Sequence, residues 1–244
     1  MNGIKYITTL ILLTVSIQMA NAQAAIIAAL FGDKVASEKF NLSMELGIPW
    51  SNFSNVTGSK PTNAINFGIA GNVKLSENWY VSPTVYFLSK RSINLNRFSL
   101  NSTDTNLNAL YQDVPANLTL AYTDIPVFVY YQPNNSNFRF GIAPQISFCK
   151  KGNIVYEGNL GDFDQSIKDN VAGTDYGAIL NIGYLFKTAH KGKGIILNVR
   201  YYNGFSDVFD NKFIAKKNNS SYFSIHISLP FISDKLTKKN LENK

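Results

Sequence analysis

The chain has 244 residues, a formal net charge of +7, only 16% charged residues, and an abundance of Tyr (13) and Phe (17). Its single cysteine, Cys149, excludes an internal disulfide scaffold. The basic excess is modest and scattered along the chain, which argues against a nucleic-acid partner.

The opening stretch MNGIKYITTLILLTVSIQMANAQ combines a positive Lys5, an apolar run over 7–15 and a small-x-small site at Ala20-Asn21-Ala22. That order predicts a secretory signal peptide over 1–22. The run is shorter than the roughly 20 apolar residues that a spanning helix needs, and no later segment reaches that length. No cysteine follows the cleavage site, so a lipid anchor is not expected. Loss of Lys5 with the leader lowers the net charge by one. Residues 23–39 are mostly apolar and are read as an N-terminal periplasmic segment with a short helix.

From residue 40 the pattern changes to period two, the signature of strands whose successive side chains face opposite ways. Eight segments carry it: FNLSMELG (40–47), AINFGIAGNVKL (64–75), WYVSPTVYFLSK (79–90), LTLAYTDIPVFVYYQ (118–132), FRFGIAPQISFCK (138–150), TDYGAILNIGYLFK (174–187), GIILNVRYYNGF (194–205) and YFSIHISLPF (222–231). The connections between them alternate long and short without exception. Short periplasmic turns and long outer loops on an even number of strands are the pattern of bacterial outer-membrane barrels. The expected fold is therefore all-β: an eight-stranded antiparallel up-and-down transmembrane barrel over 40–231, followed by a polar tail over 232–244.

The two faces of each strand differ in kind. In the last segment Phe223, Ile225, Ile227, Leu229 and Phe231 oppose Tyr222, Ser224, His226, Ser228 and Pro230. The polar face is too polar for a soluble core and suits a wet or hydrogen-bonded lumen. The apolar face then meets lipid. From Tyr176 to Tyr184 a strand runs roughly 27 Å, and a tilt of about 40° turns this into about 20 Å of height, near the apolar band of such barrels. Aromatic residues at the ends of the apolar faces form the expected girdle: Trp79, Phe87, Phe138, Phe148, Tyr176, Tyr184, Phe186, Tyr201, Phe223 and Phe231. Pro83, Pro126 and Pro144 each remove a ladder donor, and bulges or bends are expected there.

The segment YTDIPVFVYYQ (122–132) resembles the tyrosine–acid–Ile–Pro strand of the PorT-like outer-membrane barrel proteins of Bacteroidetes-type bacteria, and FRFGIAPQISF (138–148) resembles that family's next strand. The resemblance implies an eight-stranded outer-membrane barrel. The family's namesake takes part in protein secretion and gliding, but no residue here carries that role over.

The phases send Glu45, Asp124, Arg139, Arg200 and His226 into the lumen. Charges inside so narrow a barrel must be paired or wet. The expectation is a structural network in which Glu45 and Asp124 neutralise Arg139 and Arg200. A narrow small-solute channel lined by these groups is the alternative. An enzyme built on His226 between Ser224 and Ser228 is a weaker one, since Ser-x-His-x-Ser on a polar face is ordinarily lining. His190 lies in a predicted turn between lysines, which suits solvent. Asp162, Asp164 and Asp169 share a long loop but lack the spacing of a calcium loop. No metal and no cofactor are implied. The reading from sequence is a monomeric, non-catalytic outer-membrane barrel. It acts as a structural protein, or binds an extracellular or periplasmic protein partner, with its function in the long outer loops.

Overall fold

A computed structural model describes residues 35–214 and 216–242. The signal peptide expected over 1–22, and most of the segment expected over 23–39, lie outside the described residues. In chain order the elements are β1 (Phe40–Phe53), β2 (Ser59–Pro61), β3 (Asn66–Lys74), β4 (Trp79–Phe98), α1 (Thr105–Leu110), β5 (Val114–Tyr131), β6 (Phe138–Gly158), β7 (Gly161–Ser166), β8 (Thr174–Phe186), β9 (Ile195–Gly204), β10 (Ser220–Phe231) and α2 (Asp234–Glu242).

Eight of these strands form one closed antiparallel ring in the order β1-β3-β4-β5-β6-β8-β9-β10. Each pairs with its neighbour along the chain, and β10 returns to β1 from Leu42↔Phe231 to Phe53↔Ser220. Each ring strand is thereby paired on both sides along most of its length, the condition for crossing lipid with strands, and beyond Gly47 β1 meets the chain before β3 at the bridge Trp50↔Asn63. No helix among the described residues is long and apolar enough to cross a membrane.

Side chains alternate in and out as period two demands. Along β8, Asp175, Gly177, Ile179, Asn181 and Gly183 are buried, while Tyr176, Ala178, Leu180 and Ile182 face outward. Leu180 and Ile142 are each 61% exposed, an arrangement that only an apolar surrounding makes favourable. Of the expected girdle, Trp79, Phe138, Phe148, Tyr176, Phe186, Tyr201 and Phe223 lie exposed on the outer surface, and Phe87, Tyr184 and Phe231 are half-buried. Rings meet along the periplasmic rim, with Trp79–Tyr131 at 5.0 Å and Phe138–Tyr184 at 4.9 Å between centroids.

Three expectations need correction. First, the strands run further outward than predicted. β4 continues past Lys90 to Phe98, β5 starts at Val114, and β6 continues past Lys150 to Gly158. Alternation persists there, with Ile93, Leu95, Ala116, Ile154 and Tyr156 buried. Second, no bulge falls at the prolines: the register is constant through Pro83↔Val127, Pro126↔Gln145 and Pro144↔Ala178, although the pairs between Pro83↔Val127 and Tyr86↔Asp124 and between Pro126↔Gln145 and Val129↔Ile142 drop out, a local loosening of the ladder. The register shifts fall elsewhere, at Tyr86/Ser89 and Leu95/Phe98 in the β4–β5 ladder and at Ala121/Tyr122 in the β5–β6 ladder. A proline needs only that its missing N–H face no ladder acceptor. Third, the end of the chain, expected as a polar tail, forms α2, whose Asn240 side chain donates to the Gly192 carbonyl at 2.9 Å.

Candidate functional site

The inward-facing residues stack into layers along the barrel axis. The first layer is centred on Arg200 of β9, which is 3% exposed. Its Nη2 donates to Glu45 Oε2 of β1 at 3.1 Å, its Nε donates to Asn181 Oδ1 of β8 at 2.8 Å, and its Nη1 donates to the Tyr86 hydroxyl of β4. Phe128 lies under the guanidinium, 4.6 Å from the ring centroid. Glu45 also accepts from Ser43 Oγ at 3.0 Å. A buried charge survives when its partner and its remaining hydrogen-bonding groups are both satisfied, and here they are.

His226 of β10 belongs to this layer. Its Nδ1 lies 3.4 Å from the Tyr86 hydroxyl, and the two rings meet edge to face at 5.5 Å. The flanking serines do not engage it. Ser228 Oγ accepts from Asn198 at 2.9 Å, and Ser224 Oγ has no hydrogen-bond partner.

A second layer lies on the extracellular side of the first, around Arg91 of β4. Arg91 is 0% exposed. Its Nη1 donates to Asp175 Oδ2 at 2.5 Å and to Ser220 Oγ at 2.6 Å. Its Nη2 donates to Asp124 Oδ1 at 3.2 Å and to Ser147 Oγ at 2.8 Å. Tyr122 and Tyr202 flank the guanidinium at 4.2 and 4.9 Å to their centroids. Asp124 further accepts from Ser89 Oγ at 2.5 Å, and Asp175 accepts from the Tyr202 hydroxyl at 2.9 Å. One cation thus ties together β4, β5, β6, β8 and β10.

Above Arg91 the interior turns apolar. Phe53, Ile93, Leu95, Leu118, Leu120, Ile154, Tyr156, Ile167, Val208 and Phe209 belong to one buried cluster. The long connections fold into it. Phe209 meets Phe53 at 5.2 Å, and Ala172 N donates to the Val208 carbonyl at 2.8 Å. Asn218 fastens the last connection by accepting from Val208 N at 2.9 Å and donating to the Phe209 carbonyl at 3.1 Å. The Tyr156 hydroxyl bonds Gln165 at 3.0 Å, and burial pushes it up to about 12. β2 and β7 flank this part as short outer strands on β4 and β6. α1 is capped by Asp104 Oδ1, which accepts from Asn106 N at 2.9 Å. The result is a folded extracellular head with its own core.

The expected lumen residues fall into place unevenly. Glu45, Asp124, Arg139, Arg200 and His226 all point inward and are buried. Glu45 faces Arg200, but Asp124 faces Arg91 rather than Arg139. Arg139 has no carboxylate partner among the described residues, and its guanidinium lies over Tyr130 at 3.7 Å instead. Arg91 and Asp175 escaped the sequence reading. Phe87 and Leu88 both face outward at a bulge, so the parity of β4 reverses and Arg91 turns inward. Asp175 was legible, since it shares the phase of Asn181 on β8.

The chain matches the model of the family described as outer membrane protein beta-barrel domain over residues 21–210. No curated protein matches it. Among solved structures it is similar to Ail, the attachment invasion locus protein of Yersinia pestis, with TM-score 0.43, 11% identity, 80% of this chain and 100% of that chain covered. Neisserial surface protein A gives TM-score 0.39, 9% identity and coverage of 78% and 96%. OprG of Pseudomonas aeruginosa gives TM-score 0.34, 8% identity and coverage of 80% and 95%. The chain belongs to the outer membrane protein beta-barrel family, and it sits in the outer membrane with its apolar belt against the lipid bilayer.

Proposed function

We propose that this is a sealed, non-catalytic, monomeric barrel whose work is done by the extracellular head as a surface for a protein partner. The observation that carries the reading is the Arg91 layer lying directly beneath an apolar cluster. A permeating solute would have to separate Arg91 from Asp124 and Asp175 and then open a packed core. Either step alone costs several kcal/mol, by analogy with buried ion pairs and core disruption. The head supports the partner role because it is built rather than loose. It has a core of its own, yet Leu160 at its tip is 81% exposed. A serine hydrolase reading finds little support: His226 is 1% exposed and neither neighbouring serine bonds to it. The segment Tyr122–Gln132 supports a place near the PorT-like members, and no residue in it carries a secretion role over.

Reconstitution in planar bilayers tests the seal. The expected result is no steady conductance at moderate voltage. Discrete openings whose size changes on Arg200→Ala would overturn the reading in favour of a narrow channel.

A further inference from the structure

The periplasmic mouth holds a feature that the sealed barrel does not use. Arg139 on β6 is only 8% exposed, and its Nε has no hydrogen-bond partner. Burying a cation without an acid partner is costly, so such a group ordinarily has a counter-ion. Every other buried arginine of the lumen has one, Glu45 for Arg200 and Asp124 with Asp175 for Arg91. Tyr130 supplies its π face at 3.7 Å, which steadies the guanidinium plane from one side and accepts none of its in-plane N–H donors.

Arg139 lines a cavity of about 250 Å³ at the periplasmic end. Among the described residues Lys39, Lys74 and Lys187 line the same cavity, and Glu38 is the carboxylate there. Glu38 accepts from Lys235 Nζ at 3.3 Å, and Lys74 pairs with Glu77 at 3.6 Å, so neither acid is directed at Arg139. Lys39 and Lys187 thus add to the positive charge of Arg139 in the described lining, and the Arg139 Nε is buried without a hydrogen bond. A planar fork of N–H donors in such a place matches an oxyanion bidentately.

We infer that this vestibule is a binding site for a small oxyanion of the phosphate or carboxylate class, seated on Arg139 and ringed by the lysines of the rim. The site lies below the Arg200 layer and is independent of whether the barrel conducts.

Inorganic phosphate is the probe. The full chain, folded in non-ionic detergent at low salt, is titrated by calorimetry, with folding checked by gel mobility before boiling. The expected result is saturable binding that falls at least tenfold on Arg139→Gln and is unchanged on Arg97→Gln, an exposed arginine of the head paired with Asp113. Arg139→Lys keeps the charge and loses the fork, so it is expected to weaken binding and serves where Arg139→Gln does not fold. No saturable binding by the parent chain, or equal binding by the Arg139 variants, would overturn the inference. The second outcome would assign phosphate to diffuse attraction by the lysines.

Discussion

Arg91 shows how much one side chain can hold. It donates four hydrogen bonds to groups on four different strands and lies between tyrosine rings. Removing it leaves Asp124 and Asp175 facing each other's field with no cation between them. Arg91→Met is therefore expected to lower stability by about 3–5 kcal/mol, the range for breaking a buried pair. Chemical unfolding in lipid vesicles, followed by the fluorescence of Trp50 and Trp79, measures it. The triple change Arg91→Met, Asp124→Asn, Asp175→Asn is expected to recover most of the loss, because desolvated charge is then gone. If Arg91→Met alone were neutral, the layer would not be an energetic unit. The same residue marks where sequence reading stopped. Glu45, Arg200 and His226 could be placed inward from alternation alone. Arg91 could not, since it lay beyond the predicted strand end and its parity depends on an irregularity that no residue type announces.

At the scale of elements, that irregularity sits between β3, β4 and β5. The β3–β4 ladder runs Phe67↔Leu88 and then Gly68↔Tyr86, so Phe87 is the extra residue. Gly68 is there because the backbones approach closely. A Cβ on it would stand 2.3 Å from the Val85 carbonyl oxygen and 2.8 Å from Tyr86 Cα. Backbone cannot step aside as a side-chain tip can. Gly68→Ala is thus expected to cost about 1–3 kcal/mol, as overpacking does, with the unfolding midpoint as the readout. An unchanged midpoint would mean that the bulge relaxes freely. The membrane portions of the strands were legible because lipid on one side and a polar lumen on the other enforce strict alternation. The head was not. Its outward face is polar and its inward face is apolar, the reverse of the contrast below, so the outer connections read as polar loops rather than as extended strands over a core.

For the whole molecule, the closed ring makes a simple statement about rupture. With each ring strand laddered to two neighbours, no strand can leave without breaking two ladders. The folded chain is expected to resist dodecyl sulfate at room temperature and to run with altered mobility until boiled. Identical mobility before and after heating would contradict the ring. The overall architecture was the easiest property to read. It depended on strand count, alternating connection lengths and two-faced strands, and none of these needs an individual contact to be known. The pairing of charges inside depended on register and was therefore only half recoverable.

The shifts of register have a consequence for how such a chain can change over time. All of them sit at the outer edge of the lipid belt or beyond it, at Tyr86/Ser89, Leu95/Phe98 and Ala121/Tyr122, with the matching one at Phe67/Gly68. The ladders β6–β8, β8–β9, β9–β10 and β1–β10 run without such a shift among the described residues. A single-residue insertion or deletion in the outer part of β4, β5 or β6 can be taken up where the ladder already slips. Below that line the same change would turn every lipid-facing side chain inward. The outer portion is thus free to drift in length and sequence while the embedded portion stays fixed, like interchangeable tooling on a single chuck.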